Sequence, residues 1–258
     1  MGYPSTTAAR NGTAGKGLMN PTAHLIIVGD EVLGGEVADQ NGPHCLATLA
    51  RLGVRTTGVS MIGDELSGIA SAVRQGVATA DRVLVAGGIG PTHDDRTREA
   101  VAEALAVELV PHPEALARLG QVFAGRMTPE EARMAELPRG SELLTVPNSP
   151  GFGFRTASVF VFPGVPILLR RLLAANEGFF SGVPWVRRQI ASPYREGQIA
   201  TPLATLAAAW PQVRWGSYPE LTPAGWSLTL VLRAPDTTTA DRAQAALQAV
   251  LDSLKADP

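Results

Sequence analysis

The chain has 258 residues, 45% of them hydrophobic and 18% charged, with 22 basic against 24 acidic side chains and a formal net charge of −2. A balance this even gives no electrostatic case for nucleic acid or an anionic membrane as partner. The single cysteine, Cys45, excludes an internal disulfide or a cysteine-built zinc cluster, and no apolar run reaches the length of a bilayer crossing. The four histidines are scattered without metal-ligand spacing, and the N-terminus lacks an apolar signal core. Together these features predict a soluble protein of the cytoplasm.

Residues 1–22 are rich in Gly, Ser, Thr, Ala and Asn and show no periodicity, so a disordered tail is expected there, with Met19 as an alternative start. A first domain is expected over 23–180. Leu25-Ile26-Ile27-Val28 is a continuous apolar run, the pattern of a strand buried on both faces. A loop from Gly29 to Asn41 follows, then a helix with Leu46, Leu49 and Ala50 on one face, ended by Gly53. Val54 to Ile62 reads as the second strand. Leu66, Ile69, Ala70, Val73 and Val77 mark the next helix, with Asp64 spaced as its N-cap. Residues 81–86 form a third strand that feeds a glycine-rich turn, and a helical pattern resumes from Glu99 to Leu105.

This alternation predicts a mostly parallel sheet with helices on both faces, a three-layer α/β/α domain. Right-handed crossovers place the loops at 29–41, 63–65 and 87–97 along one edge. Downstream, Val107–Val110 is a short apolar segment and a helical stretch runs to about Phe123. Thr128 caps a further helix with Pro129 at its first position, closed by Met134–Pro138. Residues 147–154 read as a loop, Ser158–Phe162 as a strand, and Pro163-Gly164-Val165-Pro166 as the start of a helix carrying Leu168, Leu169, Leu172 and Leu173. The composition shifts near 178–184, and a second domain is expected over 181–258. There, strands at Trp185–Ser192, Val213–Ser217 and Trp226–Arg233 and helices at Gln198–Trp210 and Thr239–Leu254 spell a small β-α-β-β-α unit.

The stretch with most chemical content is Gly87-Gly88-Ile89-Gly90-Pro91-Thr92-His93-Asp94-Asp95-Arg96-Thr97. Its glycines allow a sharp turn and close approach to a ligand, and N–H groups at the following helix start suit phosphate. Asp94 and Asp95 beside such a loop suggest a divalent cation, or a base for a water. Read on its own, the string is also compatible with a tight capped turn.

This string resembles the signature of the MoaB/MogA-type molybdopterin-binding domain, closest to the CinA-like branch and to the N-terminal half of two-part FAD synthases. The loop Gly29-Asp30-Glu31-Val32-Leu33-Gly34 with Asp39-Gln40-Asn41 resembles a second motif of that branch, although spacing alone makes Asp39 and Asn41 helix caps and Glu31 an ordinary loop acid. Pro163-Gly164-Val165-Pro166 resembles the family's ligand-facing strand end. The resemblance implies a MogA-like fold followed by a KH-like unit. That unit has no Gly-x-x-Gly loop and is expected to pack or dimerise rather than read RNA.

The resemblance further implies that Asp64, Asp94 and Asp95 are catalytic. Gly29, Gly87, Gly88, Gly90, Pro91, Thr92, Thr97, Asn41, Pro163 and Gly164 would bind a phosphorylated ligand. Asp64 and Asp95, with Glu31 or Asp39, would hold Mg²⁺, Mn²⁺ or Co²⁺. The implied function is metal-dependent hydrolysis of a nucleotide pyrophosphate such as ADP-ribose or FAD by a homo-oligomer. Molybdopterin binding or adenylylation, and a non-catalytic nucleotide-binding module, are the alternatives.

Overall fold

The computed structural model describes residues 20–223 and 225–254. The expected tail lies mostly outside them, and its expected end at residue 22 is too late. Strand β1 (Thr22–Val28) begins at Thr22, and Asn20 already exchanges hydrogen bonds with Val183, donating at 2.9 Å and accepting at 3.1 Å.

A short helical turn α1 (Asp30–Leu33) and helix α2 (Asn41–Arg51) follow β1, then β2 (Arg55–Ile62), α3 (Leu66–Thr79), β3 (Arg82–Ala86) and α4 (Thr97–Leu105). Next come β4 (Leu109–Pro111), α5 (Pro113–Val122), α6 (Pro129–Arg133), β5 (Glu136–Pro138), β6 (Glu142–Thr145), β7 (Phe152–Thr156), β8 (Val159–Phe162) and α7 (Pro166–Ala175). The second unit holds β9 (Val186–Ser192), α8 (Glu196–Ala209), β10 (Arg214–Thr222), β11 (Gly225–Ala234) and α9 (Thr237–Leu254).

The main sheet runs β2-β1-β3-β8-β7-β6. Its first four strands are parallel, and β7 and β6 close one edge antiparallel. Side chains alternate between two cores, as a strand's period of two requires. Ile26, Val28, Val83, Val85, Val159 and Val161 pack under α3, α4 and α5. Leu25, Ile27, Leu84, Ala86, Phe160 and Phe162 pack with Leu49 of α2 and Leu169 and Leu173 of α7. Helices therefore cover both faces, and the inner parallel strands β1, β3 and β8 are buried along almost their whole length, whereas the edge strand β2 alternates exposed and half-buried residues.

Three expectations fail here. Residues 147–154 are not all loop, because Phe152 begins β7, whose Phe154 is fully buried against the first core. Glu136–Pro138 does not end a helix but pairs antiparallel with β4. In the second unit the hairpin β10–β11 is longer than expected, with β10 running on past Ser217 to Thr222 and β11 reaching Ala234. In each case pairing with another strand overrides the local expectation. The β-α-β-β-α order itself stands, with sheet order β10-β11-β9 under α8 and α9. Thr128 caps α6 in a full capping box with Glu131, with Pro129 leading the helix as expected.

Candidate active site

Parallel strands β1, β2, β3 and β8 all point their C-terminal ends the same way. In chain order, β2 lies on one side of β1 and β3 on the other, so a crevice opens between β1 and β3. A cavity of about 730 Å³ occupies this edge. Gly29 and Glu31 reach it from β1, Asp64 from β2, Gly87–Gly90, Asp94 and Asp95 from β3, and Pro163, Gly164 and Val165 from β8. The three acid-bearing loops thus converge on one rim.

The glycine turn follows from packing. Gly87 has φ +111°, and a Cβ there would sit 2.3 Å from the Val28 carbonyl oxygen. Gly88 has φ +70°, and its Cβ would meet Thr97 Oγ1 at 2.3 Å. Both positions therefore require glycine. Thr97, fully buried, pins the turn from behind. Its Oγ1 donates to the Gly87 carbonyl and its N–H to the Gly88 carbonyl, each at 2.9 Å. Thr97 shapes the turn and does not line the cavity.

Asp64 is not an N-cap, because α3 has no side-chain cap. Its Oδ2 instead accepts the Asp30 N–H at 2.9 Å, and its own N–H donates to Asp30 Oδ1 at 3.3 Å. This reciprocal pair locks the ends of β1 and β2 together. Burial raises the Asp64 carboxyl above its ordinary value, against the Asp30 N–H, and the neighbouring Asp30, Glu31 and Asp94 charges add to the rise.

Asp95 closes its own loop. Its Oδ2 accepts the Thr92 N–H at 2.9 Å and also the Thr92 hydroxyl. Asp94 is exposed, and hydrogen bonding from Thr92 and from its own backbone N–H, with His93 nearby, holds its carboxyl below the ordinary range. Pro91 and Thr92 lie outside the cavity lining, on the exposed side of this loop.

Besides Thr97, Pro91 and Thr92, two further expected residues stand outside the cavity lining. Asp39 is outside the cavity lining. Its carboxylate accepts the N–H groups of Asn41 and Gly42 at 2.8 and 2.9 Å, which is the capping role that spacing suggested. Asn41 is buried and ties the start of α2 to the β8 loop, donating from Nδ2 to the Gly164 carbonyl at 2.7 Å, while its Oδ1 has no partner. Among the described residues, no group of three or more His, Cys, Asp or Glu side chains is arranged to hold a metal ion.

The structure adds residues that the sequence reading missed. Arg98 is 5% exposed and lines the cavity. It donates to the Arg133 carbonyl and weakly, at 3.5 Å, to that of Gly90, and its Nε has no partner. Burial pushes its pKa down, and the carboxylates of Glu99, Asp95 and Glu136 only partly oppose that shift. A signal was present. Arg98 shares the i, i+3, i+4 face of α4 with buried Val101 and Ala102, so a charge stands on an apolar stripe. The far wall is apolar, formed by Leu119, Phe123, Met134, Phe152 and Phe154 from α5, the chain after α6, and β7. These residues are distant in sequence, and no local pattern links them.

Residues 24–175 match the family described as "Probable molybdopterin binding domain". The chain belongs to this molybdopterin-binding domain family. Residues 184–257 match the model of the FAD synthase middle domain. A CinA-like protein of Desulfosudis oleivorans is 33% identical over 236 residues, covering 84% of this chain and 56% of the relative. One from Anaeromyxobacter sp. is 40% identical over 157 residues, covering 57% of this chain and 38% of the relative. The chain thus spans little more than half the length of these relatives, or less. Among solved structures, the protein CinA of unknown function from Thermoplasma acidophilum is similar at 28% identity and a TM-score of 0.59, covering 62% of this chain and 98% of that one. The cavity lies at the carboxyl ends of the strands, the place where open α/β sheets bind their ligands.

Proposed function

We propose that the cavity binds a nucleotide pyrophosphate, of the ADP-ribose or FAD kind, and hydrolyses its phosphoanhydride. The observation that carries this reading is the meeting in one cavity of a glycine turn, a buried arginine, an acid of raised pKa and an apolar wall. The Gly87–Gly90 backbone and the Arg98 guanidinium suit the two phosphates, and Phe123, Phe152 and Met134 suit the flat ring of a base. Asp64 faces the same cavity and is suited to orient the attacking water.

A divalent cation belongs to this proposal. Mg²⁺ is commonly held by one or two carboxylates plus substrate phosphates rather than by a closed protein cage. Asp64 and Asp94, hard oxygen donors on one cavity, fit that pattern, and Glu31 stands beside them. When bound, such an ion neutralises charge on the phosphates and activates water. Asp95 serves by shaping its loop and balancing Arg98, and the proposal gives Asp39 no metal role.

The test is a panel of ADP-ribose, FAD and molybdopterin, each with Mg²⁺, Mn²⁺, Co²⁺ or chelator, read by AMP release and by binding. Turnover that chelator abolishes and that Asp64→Asn lowers by about a hundredfold or more supports the reading. Tight molybdopterin binding without release of AMP from any substrate would replace it with the pterin-binding reading, which the family description favours.

A further inference from the structure

The second unit carries a row of arginines that the cavity does not use. Arg214 on β10, Arg233 on β11 and Arg187 on β9 lie directly opposite one another in strand register. Opposed residues of antiparallel strands project from the same face, and like charges placed so are destabilising. The other face of this sheet is covered by α8 and α9, where Leu228, Leu230 and Leu232 are buried. Arg188 belongs to that covered face and pairs with Asp241 of α9 at 3.0 Å.

The three row arginines have no carboxylate partner among the described residues. The Arg214 guanidinium lies over the Trp185 ring, 4.9 Å from its centroid. Arg187 donates to Gln189 Oε1 at 2.8 Å, and Arg233 to the Tyr218 hydroxyl at 3.5 Å. Overall the chain is slightly acidic, so this concentration of positive charge is local.

Arg214 and Arg233 also line a cleft of about 700 Å³ between the two units. Arg55, at the start of edge strand β2, faces it from the other side, and Trp185 forms part of its wall. Arg55 and Arg82 both act on the carboxylate of Asp81, which the N–H and hydroxyl of Thr22 also engage, each at 2.7 Å.

We propose that this cleft is a second ligand site, separate from the cavity at the strand ends, which takes the di- or triphosphate group of a small phosphorylated molecule. Guanidinium groups present paired donors that match phosphate oxygens, and Arg55, Arg214 and Arg233 all line this cleft, the last two with no carboxylate partner among the described residues. A pocket of this size accommodates a small phosphorylated ligand. A bound polyphosphate relieves the cross-strand repulsion and bridges β2 to the small sheet.

The experiment titrates inorganic pyrophosphate into the full chain while tryptophan emission is followed, with Trp185→Phe as the blank. The expected result is a saturable change that the blank lacks. In Arg233→Gln the same change should require roughly tenfold more ligand or beyond, with the circular dichroism spectrum unaltered. No saturable change in the wild type overturns the proposal. So does an Arg233→Gln chain that binds as tightly as the wild type. Tighter binding of a single-stranded oligonucleotide than of pyrophosphate, lost in Arg233→Gln, overturns it in favour of a nucleic-acid surface.

Discussion

Thr97→Val isolates one hydrogen bond behind the glycine turn. Valine has nearly the shape of threonine, so packing around this fully buried position is preserved. What is lost is the donor to the Gly87 carbonyl, which at 2.9 Å is that oxygen's partner in a buried turn. Leaving a buried acceptor unpaired costs about 1–3 kcal/mol. At about 2–4 °C per kcal/mol for a domain of this size, the melting midpoint should fall by about 2–12 °C. Thr97→Ser keeps the donor and gives up one buried methyl, a loss of about 1 kcal/mol. Apolar burial alone would rank valine above serine, whereas the hydrogen bond ranks serine at or above valine. Thermal melts followed by circular dichroism, paired with ligand titrations, read both consequences. Serine should preserve binding at the cavity and valine should weaken it. A valine variant that melts and binds like the wild type, with serine the less stable of the two, would refute the role given to Thr97.

Asp64→Asn should separate stability from activity. The Asp64 carboxyl is raised in the folded state, so its charge opposes folding above that raised value and the penalty disappears once pH drops below the ordinary aspartate value of 3.8. The asparagine variant, which can still accept the Asp30 N–H, should be at least as stable as the wild type at neutral pH, with any advantage vanishing on acidification. Denaturant melts across pH check this, and a wild-type advantage that shrinks on acidification would show the shift to run the other way. Cys45 is fully buried, and burial pushes its thiol up to about 12. Roughly one molecule in 10⁵ then carries the thiolate at neutral pH. A thiol reagent should leave the folded chain unmodified and add one equivalent after denaturation, and rapid labelling of the native protein would contradict this packing.

Period and punctuation in the chain determined much of the architecture. The continuous apolar runs at Leu25–Val28 and Val83–Ala86 fit strands covered on both faces, and both are such strands. Their alternation with one-faced helices dictated a parallel sheet and put three acid-bearing loops at one edge, because handedness leaves the crossovers no choice. The glycine turn was equally legible, since positive φ values at Gly87 and Gly88 admit little else. Only the tertiary structure decided what each acid does. Asp64 and Asp39 both read locally as caps. One is drawn into a cross-loop pair with Asp30, while the other keeps its cap. Phe152 and Phe154 sit in a stretch rich in Gly and Pro, and pairing with β6 and β8 makes it a strand and half of an apolar wall. Arg98 became part of the site because α4 turns its buried face toward the cavity. Local sequence encodes backbone preference and apolar period. Which polar groups meet in space depends on contacts between segments tens of residues apart, and those exist only once the sheet has closed.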